Sequence, residues 1–272
     1  MSVPILLANT VTRLAAEHAG SVLVTGSHGG LVAARYVAQA GVRAAVFNDA
    51  GRGRDNAGIA GIAALDRIGV AAATVAHTSA RIADARDAWD HGIVSCANAA
   101  AAALGVGAGM RCAEAARRLC AARWNAGDVP ASDQARLLLV AGTAVAAPVW
   151  ALDSIGFVAA EHNGVVLIIG SHGGLHGGDP ASALQVRAQG AIFHDAGRGK
   201  DDAGVSRLPV LAARGMPAAA VDYRSARIGD ARSMWDTGVL SAVNACAAAV
   251  GVVAGMGVRD AVAPLRVVRL AS

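Results

Sequence analysis

The chain has 272 residues, 54% hydrophobic and 16% charged, so it can bury a sizeable core and falls outside the disordered class. Aromatic residues make up only 3%, which argues against a base-stacking nucleic-acid surface. The net charge of +4 comes from scattered arginines, with Lys200 the sole lysine; no basic arm for nucleic acid is present, and the balance suits a small anionic partner.

The four cysteines, Cys96, Cys112, Cys120 and Cys246, form no C-x-x-C pair and sit in Ala-rich stretches. They read as reduced cytosolic thiols, and their spacing does not suit zinc. The amino terminus lacks the basic, then apolar, pattern of an export signal, so a cytoplasmic location is expected. The uncharged stretches from Gly92 to Met110 and from Gly238 to Met256 carry Ser and Asn among their alanines. They read as buried helices, not membrane spans.

Three motifs occur twice. GSHGG covers 26–30 and 170–174, DAGRG covers 49–53 and 195–199, and SARI covers 79–82 and 225–228. Flanking text follows suit: PILLANTVTRLAAEHAG from Pro4 faces PVWALDSIGFVAAEHNG from Pro148. Self-similarity on this scale indicates an internal duplication, with two copies too few for a stacked array. The expected organisation is a first α/β repeat at 1–122, a linker at 123–147 and a second repeat at 148–272. A two-residue insertion enters the second copy between the motifs, at the start of the helix expected there, since GSHGG recurs after 144 residues and DAGRG after 146.

In chain order, each copy begins with a capped helix, expected from Asn9-Thr10 or Asp153-Ser154. The apolar run SVLVTG (VVLIIG in the second copy) follows and ends in GSHGG. A helix comes next in both copies, then the run AAVFND (AIFHD) ending in DAGRG. A third helix leads to VAAATVA (PAAAVD) and then to SARI. Ser95/Ser241 and Asn98/Asn244 are expected as caps of the Ala-rich stretch. Runs that are wholly apolar, not alternating, mark a parallel sheet covered on both faces. The predicted fold is α/β, a tandem duplication of a Rossmann-like βαβαβ unit with mainly parallel sheet and pseudo-two-fold symmetry. All three motifs then fall at carboxyl strand ends, where such sheets bind ligands.

Their residue types suggest chemistry. His28 and His172 are candidate acids or bases, and Ser27 and Ser171 candidate nucleophiles, although adjacent Ser and His side chains diverge in a strand-like segment. Asp49 and Asp195 stand where a catalytic carboxylate is usual, with Asx-turn stabilisation as the structural alternative. Gly29, Gly30, Gly173 and Gly174 let backbone N–H groups approach an anion, and Arg52, Arg198, Arg81 and Arg227 can grip one. Asp55 and Asp201 read as helix caps, and Arg81 with Asp84, like Arg227 with Asp230, can pair along a helix face.

The copies differ where Asn48 faces His194, His77 faces Tyr223, Ala76 faces Asp222 and Cys96 faces Ala242. With His176 in its inserted loop, the second copy holds more acid–base groups and is expected to carry more of the chemistry. The leading expectation is an enzyme on a small anionic metabolite, a hydrolase or lyase of a carboxylate or cyclic amide. The alternatives are a phosphate- or nucleotide-binding sensor without catalysis, and an enzyme whose cofactor is a divalent metal on the His/Asp pairs. Homo-oligomerisation is expected, with no nucleic-acid or membrane partner.

Overall fold

Wholly apolar strands need cover on both faces, and the chain supplies it twice. A computed structural model describes residues 3–125, 127, 129 and 136–267. In the first half, β1 (Ile5–Ala8), β2 (Val22–His28), β3 (Ala44–Asn48) and β4 (Ala71–Val75) are parallel, and β5 (Val94–Ala97) runs antiparallel to β4. The connecting helices are α1 (Leu31–Gln39), α2 (Ala60–Arg67) and α3 (Ala85–His91), followed by α4 (Ala99–Ala102) and α5 (Cys112–Leu119). Successive side chains point to opposite faces. Leu23, Ala45 and Phe47 therefore pack with Val37 of α1 and Leu65 of α2. Val22, Val24 and Val46 pack with Ala88 of α3 and Leu119 of α5 on the other side.

In the second half, β6 (Arg136–Val140) pairs antiparallel with β7 (Val149–Leu152), which continues into parallel β8 (Val166–His172), β9 (Gly190–His194) and β10 (Ala218–Val221). Antiparallel β11 (Leu240–Val243) closes the far edge, and α6 (Arg207–Ala213), α7 (Ala231–Thr237), α8 (Ala245–Ala249) and α9 (Val258–Leu265) cover the sheet. The protein is thus mixed α/β, with a five-stranded and a six-stranded sheet, both mostly parallel. Both sheets keep their strands in sequential order, so neither has the order reversal that opens a crevice in a Rossmann-like sheet.

Several local expectations are corrected. The capped helices at Thr10 and Ser154 are single 3-10 turns, Val11–Arg13 and Ile155–Phe157. The stretches from Gly92 and Gly238 are each a short strand followed by a short helix and loops, and no helix among the described residues is long and apolar enough to cross a membrane. The expected linker contains β6, while residues 126, 128 and 130–135 of it lie outside the described residues.

The helix expected after GSHGG exists only in the first half. In the second, Gly177 and Gly178 take positive φ of 59° and 76°, and Pro180 lacks the N–H a helix interior needs. Two 3-10 turns form instead, and Leu175, Ala183, Leu184 and Val186 of this loop cover the sheet in place of a helix. The wholly buried Arg207 pins the loop by donating from Nη1 to the carbonyl oxygens of Ser182 and Ala183.

Asn98 caps α4 as expected, and its amide does more. Oδ1 accepts from Ala101 N and Ala72 N, both at 3.0 Å, and Nδ2 donates to Ile62 O at 3.2 Å and Val70 O at 2.9 Å. One side chain thereby ties α2, β4 and α4 together, and Asn244 repeats the pattern. Asn98→Ala leaves these buried backbone groups unpaired and should cost about 2–4 kcal/mol in urea unfolding. A loss below about 1 kcal/mol would contradict this role.

Candidate functional site

The three motif loops of one half meet those of the other. DAGRG is the centre of this seam. Ala50, Gly51, Arg52 and Gly53 all have positive φ (49°, 71°, 62° and 66°), as do Ala196, Gly197, Arg198 and Gly199 (52°, 72°, 59° and 69°). A left-handed turn costs L-residues about 1–2 kcal/mol each, so surrounding contacts must hold it. Asp49 does so by accepting Gly51 N at 3.0 Å on Oδ1, and Asp195 accepts Gly197 N at 2.9 Å. Proximity favours the glycines as well: a Cβ at Gly51 would lie 3.4 Å from Gly197 Cα and 3.0 Å from the Tyr223 ring.

Across the seam, Arg54 N donates to Tyr223 O and Lys200 N to His77 O, both at 2.8 Å. Ala50, Ile82, Ala196, Ala203 and Ile228 form an apolar cluster between the halves. Around it, Arg81 pairs with Asp201 at 3.0 Å and Arg227 with Asp55 at 3.1 Å. Asp55 and Asp201 are therefore seam ion-pair partners, not helix caps; Gly53 and Gly199 hold the cap positions. Arg81 and Arg227 also pair with Asp84 and Asp230 on their own sides, as their spacing implied. These pairs are half-exposed and contribute modestly. Lys200 Nζ lies 2.7 Å from Asp87 Oδ1, whose carboxylate is almost fully buried, so removing the lysine would strip a buried charge of a partner.

GSHGG lies behind this contact, and its polar groups are committed. Ser27 Oγ accepts from Val11 N at 3.1 Å and Ser171 Oγ from Ile155 N at 2.9 Å. His28 Nδ1 accepts from Gly30 N at 3.1 Å, and His172 Nδ1 from Gly174 N at 3.2 Å. Gly29 N and Gly173 N donate to Asn48 O and His194 O. The four amides expected to face an anion thus serve the fold. Ser27, His28, Ser171 and His172 converge on one cavity between the halves, about 30 Å³ in volume. That is about the space of a single water, not of a metabolite.

Burial sets the charge of these histidines. Desolvation, then the nearby His194, pushes His28 down to about 4. Desolvation and the facing Arg207 hold His172 well below the ordinary imidazole range. Both are neutral at pH 7, with the proton on Nε2 because Nδ1 accepts. His194, expected as a second-half acid–base group, is also locked. Nδ1 accepts Ala196 N and Nε2 donates to Ala226 O, both at 3.1 Å. Asn48 makes the equivalent bonds to Ala50 N and Ala80 O in the first half. Asp222 is paired with Arg224, and Arg198 with Asp202.

The pair not singled out from sequence is Asp49–His77. His77 Nδ1 lies 3.1 Å from Asp49 Oδ1, which also accepts His77 N at 2.9 Å. Burial acts to raise the Asp49 carboxyl, but hydrogen bonds from His77, Ser95 and Gly51 outweigh it and hold it below its ordinary value. Arg52 donates to Ser95 O beside this pair. Tyr223 takes the place of His77 in the second half, and among the described residues Asp195 accepts from the backbone donors Gly197 N and Tyr223 N. This Asp–His contact is therefore made in the first half, with Tyr223 in the matching place of the second.

A cavity of about 660 Å³ opens at the seam between the amino end of α1, β6 and the second SARI loop. Leu31, Val32, Leu137 and Ile228 give it apolar walls, and Arg136, Arg227 and Arg232 line it with Asp55, Asp153 and Asp230. Among the described residues no three His, Cys, Asp or Glu groups gather as metal ligands. No family model, curated protein or solved structure matches this chain.

Between pH 6.5 and about 4 the unfolded chain binds a proton at position 28 and the folded chain does not, so stability falls as the pH is lowered across that window. The shift is worth about 3 kcal/mol. The urea midpoint should therefore drop between about pH 7 and pH 4.5, and the drop should shrink in His28→Gln. Equal midpoints at the two pH values would contradict neutral burial of this ring.

Proposed function

We propose that this protein binds a small organic anion in the cleft between its halves. The observation that carries the reading is the 660 Å³ cavity, a volume ordinary for small-molecule sites, with apolar walls and Arg136 on its edge, while its other arginines, Arg227 and Arg232, are paired with aspartates. Arg136 makes no ion pair among the described residues, its guanidinium lying 4.2 Å from the Phe157 ring centre. The nine-residue α1 starts at this cavity with no side-chain cap, so its partial positive end faces the same space. A carboxylate on a compact hydrocarbon body suits that combination.

Binding is favoured over turnover because the expected catalytic groups are spent. Ser27 and Ser171 accept backbone N–H groups, and a buried imidazole pushed down to about 4 is a weak base at neutral pH. One observation favours hydrolase or lyase chemistry as a second reading: Asp49 orients the half-buried His77 as a carboxylate orients a general base. The matched motifs, together with the reciprocal Arg81–Asp201 and Arg227–Asp55 pairs, support descent from one duplicated unit with a two-fold relation between halves.

A thermal-shift screen of mono- and dicarboxylates tests the proposal. A ligand at about 100 times its Kd stabilises by about 2.7 kcal/mol. Arg136→Ala should weaken a hit about tenfold. Undiminished affinity in that variant would remove the cleft as the site. Under the second reading, His77→Ala abolishes turnover of the hit while leaving its binding intact.

A further inference from the structure

The loop that replaces a helix in the second half creates a separate, donor-rich hollow. Arg207 is wholly buried, faces no carboxylate among the described residues, and its Nε has no hydrogen-bond partner. Its Nη2 lies 3.4 Å from His176 Nε2. An arginine is always a donor, so Nε2 must accept and the neutral ring carries its proton on Nδ1.

His176 borders a cavity of about 450 Å³ shared with Asn9, Thr10, Arg13, Asp179 and Ser182. Arg13 is exposed and makes no ion pair or hydrogen bond within the described residues. Asn9 spends its Oδ1 on Ala85 N at 2.9 Å, leaving its amide Nδ2 as a donor. That Nδ2 sits 2.5 Å from where a Gly177 Cβ would be, so it lies against the loop. Asp179 spends Oδ1 on Ala181 N. One guanidinium, an imidazole and an amide thus border one seam cavity against a single carboxylate, and the buried Arg207 lies behind the imidazole.

We propose that this hollow is an oxyanion site, taking inorganic phosphate or the phosphate of a small phosphomonoester between Arg13, His176 and Asn9. Arg207 stands behind His176 and gains from the anion the counter-charge it otherwise lacks. The imidazole pKa, pushed down to about 4 by burial, Arg207 and Arg13, would rise once the anion is bound. This site is separate from the larger cleft and does not depend on the reading given to it.

Isothermal titration of the full chain with inorganic phosphate tests the proposal, with a pH titration of the His176 ring by NMR. Saturable binding is expected, weakened at least about tenfold in Arg13→Ala and retained in Arg13→Lys. The His176 pKa should move upward with phosphate present. Tighter binding of glycerol phosphate than of inorganic phosphate identifies an ester as the ligand; equal or weaker binding identifies the free ion. The proposal is overturned by absence of saturable binding, by undiminished affinity in Arg13→Ala, by an unmoved His176 pKa, or by loss of phosphate binding in Arg136→Ala, which would place the ion in the larger cleft.

Discussion

Everything at the seam depends on two left-handed turns held against each other. Ala50–Gly53 and Ala196–Gly199 adopt backbone angles that alanine and arginine resist. Each turn is fixed on its own side by an aspartate accepting backbone N–H groups, and on the other by the opposite half's chain. At Gly51 and Gly197 a side chain would crowd the Tyr223 or His77 ring of the opposite half. Strain of this kind persists only where the surroundings over-determine it. Here the surroundings are the apolar cluster of Ile82, Ile228 and their alanine neighbours, ringed by ion pairs.

The same contact decides what the polar residues can do. Pressing the halves together buries His28 and His172 around a water-sized space and keeps them neutral. It also draws Arg81 and Arg227 into bridging roles. Ligand-sized space survives at the flanks of the seam. One flank is the cleft by α1 and β6, and another is the hollow beside His176. They differ because α1 has no counterpart in the second half, where a loop pinned by Arg207 takes its place.

Much of the fold was legible. Wholly apolar runs such as VVLIIG announced strands covered on both faces; DAGRG and SARI do follow β3 and β4 and their second-half counterparts, while GSHGG itself ends β2 and β8. Four-residue strands such as β1 and β5 were not legible, because so short a run carries no distinct period. The missing helix had local signals in Gly177, Gly178 and Pro180, which the alignment with a true helix outweighed. The site was less readable. Positive φ at Ala50 and Arg52 has no sequence signature, unlike that of a glycine. The commitment of Asp55 to Arg227, and of Lys200 to Asp87, links residues far apart in sequence and exists only in the folded pair. The Asp49–His77 contact had one visible trace, the exchange of His77 for Tyr223 between copies.

The central claim, that the repeated loops lock the halves together, is tested most directly by native-state hydrogen exchange at the Arg54 and Lys200 amides. Both donate across the seam and lie in turns that would otherwise be open to water. They are predicted to exchange as slowly as the central amides of β3 and β9. Exchange at the rate of an ordinary surface turn would contradict the claim, because the halves would then part without unfolding.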